Sequence, residues 1–159
     1  MYSLAVTVGE LCQSCGVCCQ GAFFRYALLS EGEVARLSSL GIPTSKRRNG
    51  HPAIRLGCAA LRGTSCSIYQ TRPKACDAYY CQLVFRLRDG RMAPDEAVRV
   101  VEQAKSLLAQ IEADLPPRAE DDSPSPMERA YQHGLRSGPA LLRQAEALFR
   151  EHFLGPDQP

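Results

Sequence analysis

The sequence predicts an α+β protein. It reads as a small cysteine-rich, metal-stabilised domain of short strands and helices over residues 1–92, followed by a C-terminal α-helical extension over 93–159. Three observations predict this. All eight cysteines lie between Cys12 and Cys81, and none follows. The cysteine-bearing half is loop-rich, with only short periodic stretches. From Pro94 onward, apolar residues recur at the three- and four-residue separations of amphipathic helices.

Residues 2–8 alternate weakly and predict a short strand leading into the first cysteine cluster. Cys12, Cys15, Cys18 and Cys19 then fall within eight residues. Cys12 and Cys15, separated by two intervening residues, can grip one ion if the chain turns tightly between them, as in zinc knuckles. Gly16 follows and tolerates the positive φ that curls backbone N–H groups toward thiolates. Cys18 extends the spacing to match the first three ligands of a bacterial cluster run. Ala22 and Phe23 stand where that run needs a fourth cysteine and a proline, so the ferredoxin motif is incomplete. Adjacent side chains diverge, so Cys18 and Cys19 are expected to serve two different ions, or to divide between a metal and a reactive or bridging role.

Residues 22–29 are apolar and aromatic and predict an extended segment over the metal site. Ser30 and Glu33 have capping-box spacing, with Val34, Leu37 and Leu40 on one helix face, ended by Gly41 and Pro43. The loop 44–50 carries Lys46, Arg47 and Arg48, which read as solvated surface rather than a nucleic-acid patch. Residues 52–56 predict a strand delivering Cys58, and a turn at Gly63 precedes Cys66. Thr71 can cap a helix with Arg72, Pro73 and Lys74 in its first turn, placing Cys76 and Cys81 on neighbouring faces. Residues 84–88 predict a terminal strand, and Asp89 with Gly90 a turn.

Pro94, Asp95 and Glu96 open the clearest helix. Its apolar stripe is Ala97, Val100, Val101, Ala104, Leu107, Leu108, Ile111 and Leu115, stopped by Pro116 and Pro117. Residues 116–126, acidic and proline-rich, predict a mobile linker. A helix from Ser125 and a last one lined by Leu141, Leu142, Ala145, Leu148 and Phe149 follow, and residues 155–159 are expected to be disordered. The helices are expected to cover the cysteine domain or to pair with a protein partner or a second copy.

A formal charge of +2, with 45% hydrophobic and 23% charged residues, is that of a soluble globular chain. No stretch approaches the roughly 18 apolar residues of a membrane span, and the N-terminus lacks a basic, long-apolar signal sequence. A cytoplasmic, reducing compartment follows, in which clustered thiols read as metal ligands or catalytic groups rather than disulfides. No nucleophile–base pair, phosphate loop or paired carboxylates accompany them, so the reading leans away from an enzyme.

The order Cys12, Cys15, Gly16, Cys18, Cys19, then Cys58, then Cys66, Tyr69, Arg72, Pro73, Cys76 and Cys81 resembles the YkgJ-like CxxCxxCC cysteine-cluster family. Its members are described as zinc- or iron-chelating proteins, and some larger relatives are associated with iron–sulfur chemistry and protein modification. The resemblance covers about residues 10–82. It implies that the eight cysteines are the metal-binding set, with Gly16, Tyr69, Arg72 and Pro73 around them. Arg72 is expected to donate to thiolates or to pair with a buried carboxylate, with anionic-substrate binding as the other reading.

The resulting expectation is a protein that chelates zinc or iron through eight thiolates, which divide naturally into two closed Cys₄ sites. The alternatives are an iron–sulfur redox protein or a subunit supporting a modification enzyme, then a zinc-dependent nucleic-acid module using Lys46, Arg47 and Arg48, and last a secreted disulfide scaffold. Thiolate softness suits zinc and iron–sulfur centres alike.

Overall fold

The computed structural model describes residues 6–155 and is a mixed α+β structure with a helical C-terminal part. Helix α1 (Val8–Cys15) opens it, because Thr7 and Glu10 form a capping box: Thr7 Oγ1 accepts the Glu10 N–H at 3.2 Å, and Glu10 Oε2 accepts the Thr7 N–H at 2.8 Å. From Val8 on, this helix replaces the strand expected over 2–8, since a satisfied cap outweighs weak alternation. Residues 2–5 of that expectation lie outside the described residues, as do residues 156–159 of the expected tail.

A three-stranded antiparallel sheet follows, β1 (Tyr26–Leu28), β2 (Ser45–Lys46) and β3 (Pro52–Arg55), in the order β1-β3-β2 with Ala27 opposite Ile54. The extended segment expected over 22–29 narrows to β1. Upstream of it, Phe23 and Phe24 turn into aromatic contacts instead. Helix α2 (Glu31–Ser39) has the predicted Ser30–Glu33 capping box. Its Leu37 joins Leu29, Ile42, Ile54 and Ala60 in a small core of its own. A hairpin, β4 (Leu61–Arg62) and β5 (Ser65–Cys66), turns at Gly63 with φ +61°, and Ser65 Oγ donates to Gln13 of α1 at 3.1 Å.

The helix expected from Thr71 onward is broken into parts. Tyr69–Thr71 is a 3₁₀ turn, α3 (Lys74–Ala78) begins only after Pro73, and Tyr79 is extended before α4 (Gln82–Arg88). The strand expected over 84–88 is therefore wrong, because those residues are helical. Leu83 and Val84 are buried, and Leu87 packs beside them in the core that α1 and α5 share. A short apolar run does not distinguish the two periods until its neighbours do.

Helices α5 (Pro94–Asp114), α6 (Pro126–His133) and α7 (Ala140–His152) follow as expected. The α5 stripe, Phe149 and Phe153 join Leu11, Cys15, Val17, Cys81 and Leu83 in one larger core. The C-terminal helices thus pack into the cysteine-bearing region. Among the described residues, no helix is long and apolar enough to cross a membrane.

The mobile linker expected over 116–126 gives way in its second half, where Ser123 and Ser125 are buried. Ser125 Oγ donates to the Gly21 carbonyl at 2.9 Å and accepts the Glu128 N–H at 3.2 Å. Pro124 lies so close to Gly57 that a Cβ there would stand 3.2 Å from the Pro124 carbonyl oxygen. The buried Glu128 carboxylate completes the clasp, accepting from Ser123 Oγ at 2.5 Å and pairing with Arg55 at 3.2 Å and Arg25 at 3.5 Å. Both arginine side chains keep substantial access to water, so they can rehydrate if the carboxylate is lost. Glu128→Ala is therefore expected to cost about 1–3 kcal/mol of unfolding free energy in urea rather than the larger penalty of a stranded buried charge. A change under about 0.5 kcal/mol, the range of an ordinary surface substitution, would show the clasp to be idle.

Candidate metal centre

Helix α1 carries Cys12 and Cys15 on one face, three residues apart, in place of the tight knuckle turn expected between them. Gly16 ends the helix at φ +66°. A turn then presents Cys18 and Cys19, closed by Gln20 N–H to the Gly16 carbonyl and Gly21 N–H to the Cys18 carbonyl, both at 3.0 Å. Cys58 leaves the end of β3 with its N–H on the Cys19 carbonyl at 2.8 Å, and its sulfur accepts the Ala60 N–H at 3.4 Å. Cys66 is on β5 opposite Leu61, Cys76 is on α3, and Cys81 caps the N-terminus of α4.

These eight residues wall one cavity of about 130 Å³. Tyr69, Arg72, Pro73, Val101 and Phe153 complete parts of its wall, so the helical extension supplies some of the lining. No histidine is among the lining residues. Among the described residues, no three Cys, His, Asp or Glu side chains form a ready coordination shell; the sulfurs line a common space. The donor chemistry suits a soft cation, with eight thiols and one carboxylate in the wall, that of Asp77, which is paired with Arg72.

Neighbour relations divide the eight. Cys15 and Cys81 are buried in the larger core with Cys12 packed on it, whereas Cys58 and Cys66 pack on the smaller one. Cys81 is the cysteine that most opposes ionisation of Cys12, Cys15 and Cys18. For Cys19 the strongest neighbours are Cys58, Cys76 and Cys66, and for Cys76 they are Cys58 and Cys66. Cys12, Cys15 and Cys18 are thus opposed most by Cys81, and Cys19 and Cys76 by Cys58 and Cys66, while Cys19 also acts on Cys15 and Cys18 and Cys12 on Cys19 across the shared cavity.

Burial, followed by the neighbouring thiols, pushes Cys12 and Cys76 up to about 11 and Cys19 up to about 12. Burial likewise takes Cys15 to about 12 against the Val17 N–H. It raises Cys18 well above the ordinary 9.0, and raises Cys58 and Cys81 although nearby N–H groups work against it. A thiol whose pKa is raised on folding holds its proton more tightly in the native state, so its contribution is present below the unfolded value and lost above it. The metal-free chain is expected to lose stability steadily as pH rises from about 9 toward 12. Urea midpoints that stay level across that window would contradict the burial.

Arg72 does not reach a sulfur by hydrogen bond. Its guanidinium stacks 3.9 Å from the Tyr69 ring centroid, donates to the Tyr69 carbonyl at 2.6 Å and pairs with Asp77 at 2.6 Å. The carboxylate partner expected for it exists but is largely exposed. From this anchored position the cation favours the charged forms of Cys12 and Cys76. Pro73 is fully buried at the N-cap of α3 rather than inside its first turn.

Sequence reasoning missed Phe153 and Asp77. Asp77 lies five residues after Arg72, a separation that could have signalled the pair. Phe153 had only the apolar stripe of its helix to announce it. It packs against Phe23 and Phe149, with ring centroids 5.4 and 5.9 Å away, and its carbonyl accepts the Gln82 N–H at 3.0 Å, directly behind Cys81. Phe153→Ala is expected to cost about 3–5 kcal/mol, readable as a lower denaturant midpoint. A loss below about 1 kcal/mol would mean that the wall closes without it.

A cavity walled by eight thiols within a small α+β scaffold defines a cysteine-cluster protein. The chain belongs to the CxxCxxCC family, described as a candidate zinc- or iron-chelating domain, whose model matches residues 11–103. The match runs into α5, whose Ala97, Val100 and Val101 share a core with Cys15 and Cys81. Neither a curated protein nor a solved structure matches the chain.

Proposed function

We propose that this protein is a metal-holding module that grips two zinc or iron ions through eight thiolates. Cys12, Cys15, Cys18 and Cys81 form one quartet, and Cys19, Cys58, Cys66 and Cys76 the other. The observation that carries this reading is the cavity walled by all eight thiols, with Cys12, Cys15 and Cys81 on the larger core, Cys58 and Cys66 on the smaller one, and Cys19 joined to Cys58 through the backbone. Around the ligands, Gly16 stops α1 so that the chain can turn into Cys18, Tyr69 and Pro73 wall the cavity, and Arg72 offsets thiolate charge. When bound, the metal supplies folding free energy to a region with little core of its own. The proposed setting is a reducing one such as the cytoplasm, where the thiols stay available.

The test is metal analysis with a visible spectrum after anaerobic purification from medium supplying both zinc and iron. Two ions per chain are expected. The double variant Cys15→Ser/Cys81→Ser should keep one ion, and Cys15→Ser/Cys58→Ser should keep none, because it damages both quartets. A colourless protein with two zinc ions fits closed Cys₄ sites. A coloured one containing acid-labile sulfide assigns the thiols to an iron–sulfur cluster instead. Equal metal content in the two double variants would sink the division into quartets.

A further inference from the structure

We propose that the two quartets load as one coupled unit, so that filling either makes the other bind its ion more tightly. The proposal rests on the two-quartet reading above. Its basis is the way the chain shares backbone between them. Cys18 and Cys19 are consecutive, one to each quartet, and sit in a single turn held by two hydrogen bonds of 3.0 Å. Consecutive Cα atoms are locked about 3.8 Å apart, so drawing Cys18 onto an ion places Cys19 as well. The same turn positions Cys58, whose N–H rests on the Cys19 carbonyl at 2.8 Å.

A second shared stretch repeats the arrangement. Cys76 is on α3 and Cys81 begins α4, with the extended Tyr79 between the two helices. Closing the first quartet on Cys81 therefore restrains the segment from which Cys76 reaches the second. Each quartet thus takes one ligand from each of two short segments that also feed its neighbour. The conformational freedom lost on the first binding event is not lost again on the second, which is the condition for positive coupling. Net negative charge on two filled quartets opposes this. Arg72, anchored by Tyr69 and Asp77 on the wall it shares with Cys12 and Cys76, offsets that charge.

The experiment is an anaerobic zinc titration of the full chain, with free zinc set by a competing chelator and the species counted by native mass spectrometry. At half-saturation, two independent identical sites leave about half of the molecules with one ion, unequal sites leave more, and a ten-fold coupling lowers that share to about one quarter. A one-ion share at or below about one quarter is expected. Reciprocity gives a second reading: breaking the first quartet (Cys15→Ser/Cys81→Ser) should weaken zinc at the second by the same factor, about ten-fold, as breaking the second (Cys58→Ser/Cys66→Ser) weakens it at the first. Two ions bound with a one-ion share of about half or more overturn the coupling alone. Uptake of fewer than two ions overturns the quartet reading, and the coupling with it.

Discussion

Stripping the metal-loaded protein with excess strong chelator is expected to lower its thermal midpoint by on the order of 20 °C or more. A closed structural zinc site contributes about 10–16 kcal/mol of apparent binding free energy. Whole domains of this size are stable by only about 5–15 kcal/mol, and each kcal/mol moves the midpoint by about 2–4 °C. The loss should be uneven. The sheet and hairpin that carry Cys58 and Cys66 have strands of two to four residues and rest on a core of Leu29, Leu37, Ile42, Ile54 and Ala60. The larger core is filled by α1, α4, α5 and α7. Hydrogen exchange after chelation should therefore accelerate across residues 45–66 while α5 and α7 stay protected. A midpoint shift of less than about 5 °C, with exchange unchanged in the hairpin, would mean that the metal has no part in holding the fold.

Gly16→Ala should unfold the protein more readily by about 2–5 kcal/mol, the sum of two separate penalties. The left-handed backbone at φ +66° costs a side chain roughly 1–2 kcal/mol. The new Cβ would also lie 2.8 Å from the Thr64 carbonyl oxygen and 2.9 Å from its Cα, backbone atoms that cannot rotate away, which adds about 1–3 kcal/mol. Thr64 sits in the hairpin turn next to β5, so relief of the clash pushes Cys66 from its place and should weaken zinc at the second quartet. Gly32→Ala is the control. It lies in α2 with nothing within 4 Å of the added Cβ and should be neutral or stabilising by up to about 1 kcal/mol. Equal urea midpoints for the two variants would show that α1 and the hairpin can part without cost.

The chemistry was legible in the sequence because it is local. The spacing of Cys12, Cys15, Cys18 and Cys19, the glycine after Cys15, the Ser30–Glu33 box and the α5 stripe each act within a few residues, and the structure has the positive φ, the cap and the buried face that they predict. The adjacency of Cys18 and Cys19 gave the expectation of two ions, or of a metal and a reactive or bridging role, and the proposed quartets take up the first. Sequence periodicity failed over residues 84–88, where a short stretch with apolar Val84, Phe85 and Leu87 between arginines reads equally as strand or helix until α1 and α5 bury one side of it. It also failed over 123–125, whose serines and proline look like linker until Gly21 and Gly57, far away in the chain, receive Ser125 and Pro124. Residue types and short spacings determined that this is a thiol-rich α+β protein with a helical cover. Which thiols are neighbours, and which aromatic ring closes their cavity, only the tertiary structure decided. Those relations depend on contacts such as those between Cys19 and Cys58 and between Phe23 and Phe153, and no local preference of the chain encodes contacts at such separations.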